Sequence, residues 1–211
     1  MNTRMIQSFA LLGSLLLAGC APSMMEGGAV KDGAKGGTPS RLDVAQPAPD
    51  VAANGLVLTS PEIADGSTIP VEQTCTGDAV SPALAWSGAP EGTVSYVLTA
   101  FDPDAPTGSG FWHWVNYNIP ASATGFDKGA GSKGGTLPEG TVTANNSGGS
   151  AGYAGPCPPI GAAAHRYQFT LYALSKTLDI PAGASPEFIG FNLNGATLAK
   201  TSFTGTYGRD K

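Results

Sequence analysis

Tyr96-Val97-Leu98-Thr99-Ala100-Phe101-Asp102-Pro103-Asp104-Ala105-Pro106, resumed after Thr107 to Gly110 by Phe111-Trp112-His113-Trp114-Val115-Asn116-Tyr117-Asn118-Ile119, decides the fold class. β-Branched and aromatic residues fill both arms and Gly, Pro and Asp bound them, the composition of strands joined by a stiffened turn. Leu56 to Thr59 and Tyr167 to Leu174 repeat the pattern. One helix is expected near the end, opened by Ser185 as N-cap with Pro186 at the first helical position and Glu187 in the first turn. Lys128 to Gly155, rich in Gly and without periodicity, reads as a long surface loop beside a functional face. The expectation is a β-rich domain, all-β to α+β.

Composition narrows the function classes. Of 211 residues, 13% are charged, with 11 basic against 16 acidic for a net charge of -5 and no basic run. A polyanion finds no electrostatic track, so nucleic acid is excluded as a partner. Three Cys are too few for a disulfide-framework fold, and no Cys-x-x-Cys or His-x-x-x-His pair offers a zinc clasp.

The chain divides in three. Arg4 precedes the apolar stretch Met5 to Leu17, too short to span a bilayer and suited to the h-region of a secretory signal. Leu17-Ala18-Gly19-Cys20 then resembles the lipobox of bacterial lipoproteins, which makes residues 1–19 a cleaved signal peptide and Cys20 the lipidated residue. Ala21 follows where an Asp would resemble an inner-membrane retention signal, so the expected location is the outer membrane, facing the periplasm. Residues 20–53, made of Gly, Ala, Pro, Ser and scattered charge, cannot bury enough surface to offset chain entropy and read as a flexible tether. Residues 54–211 form the folded domain.

The polar chemistry gathers at two proline-braced segments. Phe101 to Pro106 holds two carboxylates between prolines and leads to His113; Gly155-Pro156-Cys157-Pro158-Pro159 leads to His165-Arg166-Tyr167. Those are the chain's two His. Prolines fix φ near -65° and stiffen the loops, so neighbouring polar groups meet a ligand already positioned. Simple alternation puts His165, Tyr167 and Phe169 on one strand face, and Trp112 and Trp114 opposite His113. Asp104 is expected to bond loop backbone, Arg166 to tie acceptors behind the site, and His113 to be half-exposed.

"DPDAP" with "FWHWVNYNIP", and "GYAGPCPPIGAAAHRYQFTLYAL", resemble the phosphatidylethanolamine-binding protein family, in its bacterial Raf-kinase-inhibitor-like branch; "SPALAWSGAPEG" resembles the stretch that precedes the first block there. The resemblance covers about Leu56 to Arg209. It implies an antiparallel β-sandwich with peripheral helices, and a small pocket for phosphate, acetate or phospholipid head groups. The family's pocket residues fall on Asp102, His113, His165 and Tyr167, its turn Pro on Pro159 and its wall aromatic on Phe111. No cofactor is implied. Partners would be phosphate or a phospholipid head group, with inhibition of a periplasmic protease or kinase-like protein through the pocket rim as the alternative. The C-terminal helix with a pocket Tyr seen in animal members has no counterpart. In such a pocket both imidazoles and the Tyr167 hydroxyl would donate to an anion, and Asp102 would hold an imidazole charged or take a proton from the ligand.

A hydrolase is the rival reading, because Gly148-Gly149-Ser150-Ala151-Gly152 matches Gly-x-Ser-x-Gly. A nucleophile elbow needs a strand before it and a helix after it, and this stretch is all loop. A metal held by Asp102, His113 and His165 has no spacing signature behind it. Cys75 and Cys157 either pair or leave Cys157 as a small apolar filler of its turn; sequence does not decide.

Overall fold

A computed structural model of the chain describes residues 55–210. The residues read as signal peptide, lipidated Cys20 and tether lie outside them. Eight strands, β1 (Val57–Thr59), β2 (Leu84–Ser87), β3 (Ser95–Asp102), β4 (Phe111–Pro120), β5 (Gly125–Phe126), β6 (Val142–Thr143), β7 (His165–Leu174) and β8 (Thr197–Tyr207), accompany one α-helix, α1 (Pro186–Asn192), and a 3₁₀ turn at Val71–Gln73. They form two sheets, ordered β1-β2-β5 and β6-β4-β3-β7-β8, with every strand pair antiparallel.

The larger sheet is covered on both faces, which explains why Ser95–Asp102 is buried almost without alternation. Tyr96, Leu98, Ala100, Tyr167, Phe169, Leu171 and Phe203 pack with Leu58, Leu84, Trp86 and Phe126 of the smaller sheet. Val97, Val115, Tyr117, Tyr172 and Leu174 face the other way, under Leu178, Ile180 and, from α1, Ile189. α1 begins as its sequence requires: the Ser185 hydroxyl accepts the Phe188 N–H and Pro186 occupies the first turn, a cap worth about 1 kcal/mol. The outer edge of β8 is not left open, because Ile69 N–H donates to Thr206 O and Thr206 N–H to Ser67 O, closing an edge that would otherwise invite another strand.

A departure from simple alternation shapes the functional end. Ala100 pairs with Trp114 and Phe101 with Trp112, so β4 carries one extra residue, His113. The bulge changes the phase of the strand. Trp114 therefore joins the inter-sheet core on the same side as His113, while Trp112 packs behind the sheet and against Phe101, at 4.4 Å between ring centroids. The expected opposition of both tryptophans to His113 holds only for Trp112. The segment after Lys128 is also more structured than a surface loop: it contributes β6 and buries Ala130, Ala144 and Asn146.

Candidate functional site

Antiparallel order brings one end of four strands together. Asp102 ends β3, Phe111 begins β4, His165 begins β7 and Tyr207 ends β8, paired Asp102 with Phe111 and His165 with Tyr207. At this end Asp102, His113, His165 and Tyr167 are all buried, between 1% and 7% exposed. The His165 Nδ1–H donates to Asp102 Oδ2 at 2.8 Å, and Asp102 Oδ1 accepts the Asp104 N–H at 2.8 Å. His113 Nε2 stands 4.0 Å from the same Oδ2. Phe111 and Tyr167 flank the His113 ring at centroid distances of 4.7 and 5.2 Å.

His113 is held by a reciprocal pair with one residue. Its Nδ1–H donates to Ala154 O at 2.7 Å, and Ala154 N–H returns to His113 O at 2.8 Å. Burial lowers the His113 pKa below the ordinary histidine value, against the raising effects of the Ala154 bond and the Asp102 charge. The neutral ring with its proton on Nδ1 presents Nε2 to the site as an acceptor. This corrects two expectations: His113 is not half-exposed, and its neutral ring offers an acceptor at Nε2 where a donor was expected.

Tyr167 carries the opposite deficit. Its hydroxyl is buried and makes no hydrogen bond of good geometry, although Asp102 stands close enough to interact with it. Burial, then the nearby Asp102 charge, pushes the phenol pKa far up, so it stays a neutral donor. An orphaned buried hydroxyl costs about 1–3 kcal/mol.

Asp104 does not serve the loop backbone as expected. It binds Arg166 through both oxygens, Nε to Oδ2 at 2.9 Å and Nη2 to Oδ1 at 2.8 Å, and accepts the Arg166 backbone N–H. The side-chain bond from Arg166 is the main cause of its lowered pKa. The pair clamps the β3 turn to β7, and Asp102 is the carboxylate that bonds the turn backbone.

The remaining sequence candidates separate. Phe111 walls the cluster, whereas Pro159 is exposed on its loop and its carbonyl accepts the Ala162 N–H. Cys75 and Cys157 are joined by a disulfide, with Cα atoms 5.3 Å apart. Around it Cys75 N–H donates to Pro156 O. A Cβ on Gly155 would stand 2.9 Å from Thr74 C and 3.0 Å from Cys75 N. The bridge thus fixes the loop that delivers Ala154 to His113. Ser150 is exposed in a loop beside Asn146, without the strand–turn–helix an elbow needs. Among the described residues no group of three His, Cys, Asp or Glu is placed to hold a metal ion.

A family model described as phosphatidylethanolamine-binding protein matches residues 59–208. The chain belongs to that family. It is 44% identical over 163 residues to the UPF0098 protein YbcL of Escherichia coli strain K12, spanning 74% of this chain and 88% of YbcL. The crystal structure of E. coli YbcL, described as a new member of the mammalian PEBP family, superposes with a TM-score of 0.70 at 40% identity, covering 73% of this chain and 98% of that one. LppC of Mycobacterium tuberculosis strain H37Rv, whose name provisionally calls it a lipoprotein, is 40% identical over 167 residues, 79% of this chain and 78% of LppC.

Membership in the phosphatidylethanolamine-binding family supports ligand binding in general. Ala154, Tyr153 and Tyr207 were absent from the sequence reading of the site. Tyr153 donates to Gln73 O at 3.0 Å and Tyr207 to Thr76 Oγ1 at 2.8 Å, which ties the loop before Ala154 and the end of β8 to the segment that carries Cys75. Ala154 acts through a carbonyl, which no residue type announces.

Proposed function

We propose that this protein binds the phosphate of a small anion or phospholipid head group between Asp102, His113, His165 and Tyr167, without turning the ligand over, at the cell envelope. The observation that carries the reading is the buried Tyr167 hydroxyl, which makes no well-formed hydrogen bond in the protein and has only the Asp102 carboxylate near it, since a phosphate oxygen would accept its hydrogen. His113 Nε2 supplies the complementary acceptor. That combination suits a monoprotonated phosphate, or a head group with an ammonium or hydroxyl donor, better than a bare anion, because the ligand must also donate. The Asp102 carboxylate is compatible with such a ligand because its two oxygens already accept from His165 and Asp104. Binding without turnover is supported by the chemistry present: the phenol is pushed away from ionisation, and among the described residues each imidazole Nδ1 bonds a carbonyl or a carboxylate and no hydroxyl nucleophile is paired with either ring. The lipobox ending at Cys20, followed by Ala21, supports the outer membrane, periplasmic side, as the location.

Isothermal titration of the full-length protein in detergent with inorganic phosphate and phosphoethanolamine, beside an ester-hydrolysis assay, tests the reading. Saturable binding without hydrolysis is expected. Absence of binding by both probes, or turnover that needs His113, would overturn it.

A further inference from the structure

Phe111 also lines a cleft. Its ring, 4.7 Å from that of His113, contributes to an open cleft of about 450 Å³ walled by the β3–β4 turn, the loop after β6 and the residues leading into α1. That volume falls in the range of small-molecule sites. Thr107, Ser109, Asn145, Ser147 and Glu187 bring polar side chains to it, with no Lys, Arg or His in the lining.

The hydrogen-bond inventory says what this lining can recognise. The Ser147 hydroxyl accepts the Trp112 N–H at 2.9 Å and keeps its own hydrogen to give. Thr107 is spent on Gly110 O. Asn145 offers a carboxamide with both donors and acceptor, Ser109 a hydroxyl and Glu187 a carboxylate. A second phosphate would meet no cation here and would be repelled by Glu187. Vicinal hydroxyls each donate and accept, which is what a mixed lining of Ser, Asn and Glu satisfies, and the Phe111 ring offers a wall for the C–H face of a polyol.

The geometry points to a polyol subsite in this cleft, so that the ligand class is a phosphorylated polyol whose phosphate lies in the Asp102–His113 cluster and whose hydroxylated part reaches past Phe111. This inference rests on the phosphate reading above. The source is either a free polyol phosphate or the head group of a glycerol-bearing phospholipid, and the shared chemistry is the phosphate ester of a polyol.

Titration calorimetry on the full-length protein in detergent, with inorganic phosphate, glycerol 3-phosphate and glycerophosphoglycerol as probes, tests it. Glycerol 3-phosphate or glycerophosphoglycerol is expected to bind about ten-fold tighter than phosphate, the worth of one or two added hydrogen bonds. Preference for the diester identifies the lipid head group as the source and preference for the monoester the free compound; both support the subsite. Asn145→Ala combined with Ser109→Ala should erase the gain while phosphate affinity stays within about two-fold, which also reports that the variant is folded; Glu187→Gln, on the exposed face of α1, is the independent second variant. Equal affinity for all three probes, or a gain that survives both variants, would overturn the subsite and leave the phosphate reading standing. Failure of inorganic phosphate to bind would strike the phosphate reading itself.

Discussion

Replacing Tyr167 by Phe should move stability and affinity in opposite directions. The hydroxyl is buried without a well-formed hydrogen bond, and the residue is 1% exposed. Deleting one oxygen therefore removes a desolvated polar group without opening a cavity of consequence. An unsatisfied group of this kind costs about 1–3 kcal/mol; regaining about 1 kcal/mol of that would raise Tm by about 2–4 °C for a domain of this size. Binding should suffer the reverse. A hydrogen bond to a charged acceptor contributes about 1.5–3 kcal/mol, so phosphate affinity should fall about 10- to 150-fold. Differential scanning calorimetry without ligand and titration calorimetry with phosphate read the two quantities separately. A Tyr167→Phe variant that melts several degrees lower and binds phosphate as tightly as the parent would refute the reasoning, because the hydroxyl would then be a structural bond and not a ligand contact.

Breaking the Cys75–Cys157 bridge by Cys157→Ser should cost about 2–4 kcal/mol, since the bond closes a long loop, 82 residues apart in sequence; thermal melts with and without reductant should converge on the variant's value. The buried His113 gives stability a pH slope. Its folded pKa lies below the unfolded value of about 6.5, so as pH falls below that point the unfolded chain takes up a proton first and stability is lost; melting temperatures that rise between pH 7 and pH 5.5 would contradict this. The lowered Asp104 pKa acts in a separate, more acidic window, with its contribution present above the ordinary carboxylate value and lost as pH falls through the folded one. At Gly110, with φ of 78° and a virtual Cβ 2.3 Å from the Phe101 ring and 2.7 Å from Asp102 O, substitution by Ala should destabilise by about 1–3 kcal/mol and misplace the β3–β4 turn; a variant as stable as the parent would show that the turn relaxes freely.

The extent to which the fold was legible follows from which side chains face inward. β7 was plain, because His165, Tyr167, Phe169, Leu171 and Ala173 alternate into one face and large residues advertise the period. β8 escaped notice although it is the longest strand, Thr197–Tyr207. Its inward positions include Ala199 and Gly205, which carry little hydrophobic signal, and the reason is packing: a Cβ on Gly205 would stand 2.6 Å from Ile69 Cγ1, so the segment that covers this edge forbids a larger residue. Tyr207, and with it one flank of the site, was lost for the same reason. Trp114 was assigned to the wrong face because alternation has no memory of a bulge, and the residue that creates the bulge is His113 itself.

That coincidence links fold to function. A regular β4 would place His113 and Trp114 on opposite faces, one of them in the wrong core. The extra residue lets the indole fill the space between the sheets while the imidazole, one position earlier, still turns toward Asp102. A bulge leaves its own residue outside the regular ladder and in need of partners, and Ala154 supplies two, one from its N–H and one from its carbonyl. The carbonyl fixes the ring's proton on Nδ1 and so frees Nε2 for a ligand. The loop that carries Ala154 is in turn held to the Cys75 segment by a covalent bond and by the close approach at Gly155. Loosening that loop should therefore damage the acceptor side of the site before the donor side, so the Cys157→Ser variant should lose selectivity for protonated phosphate over fully ionised sulfate before it loses anion binding altogether. Competition titrations with the two anions across pH 5.5 to about 7.5 would show it, and a variant whose phosphate-to-sulfate preference matches the parent's would break the chain of reasoning at the loop.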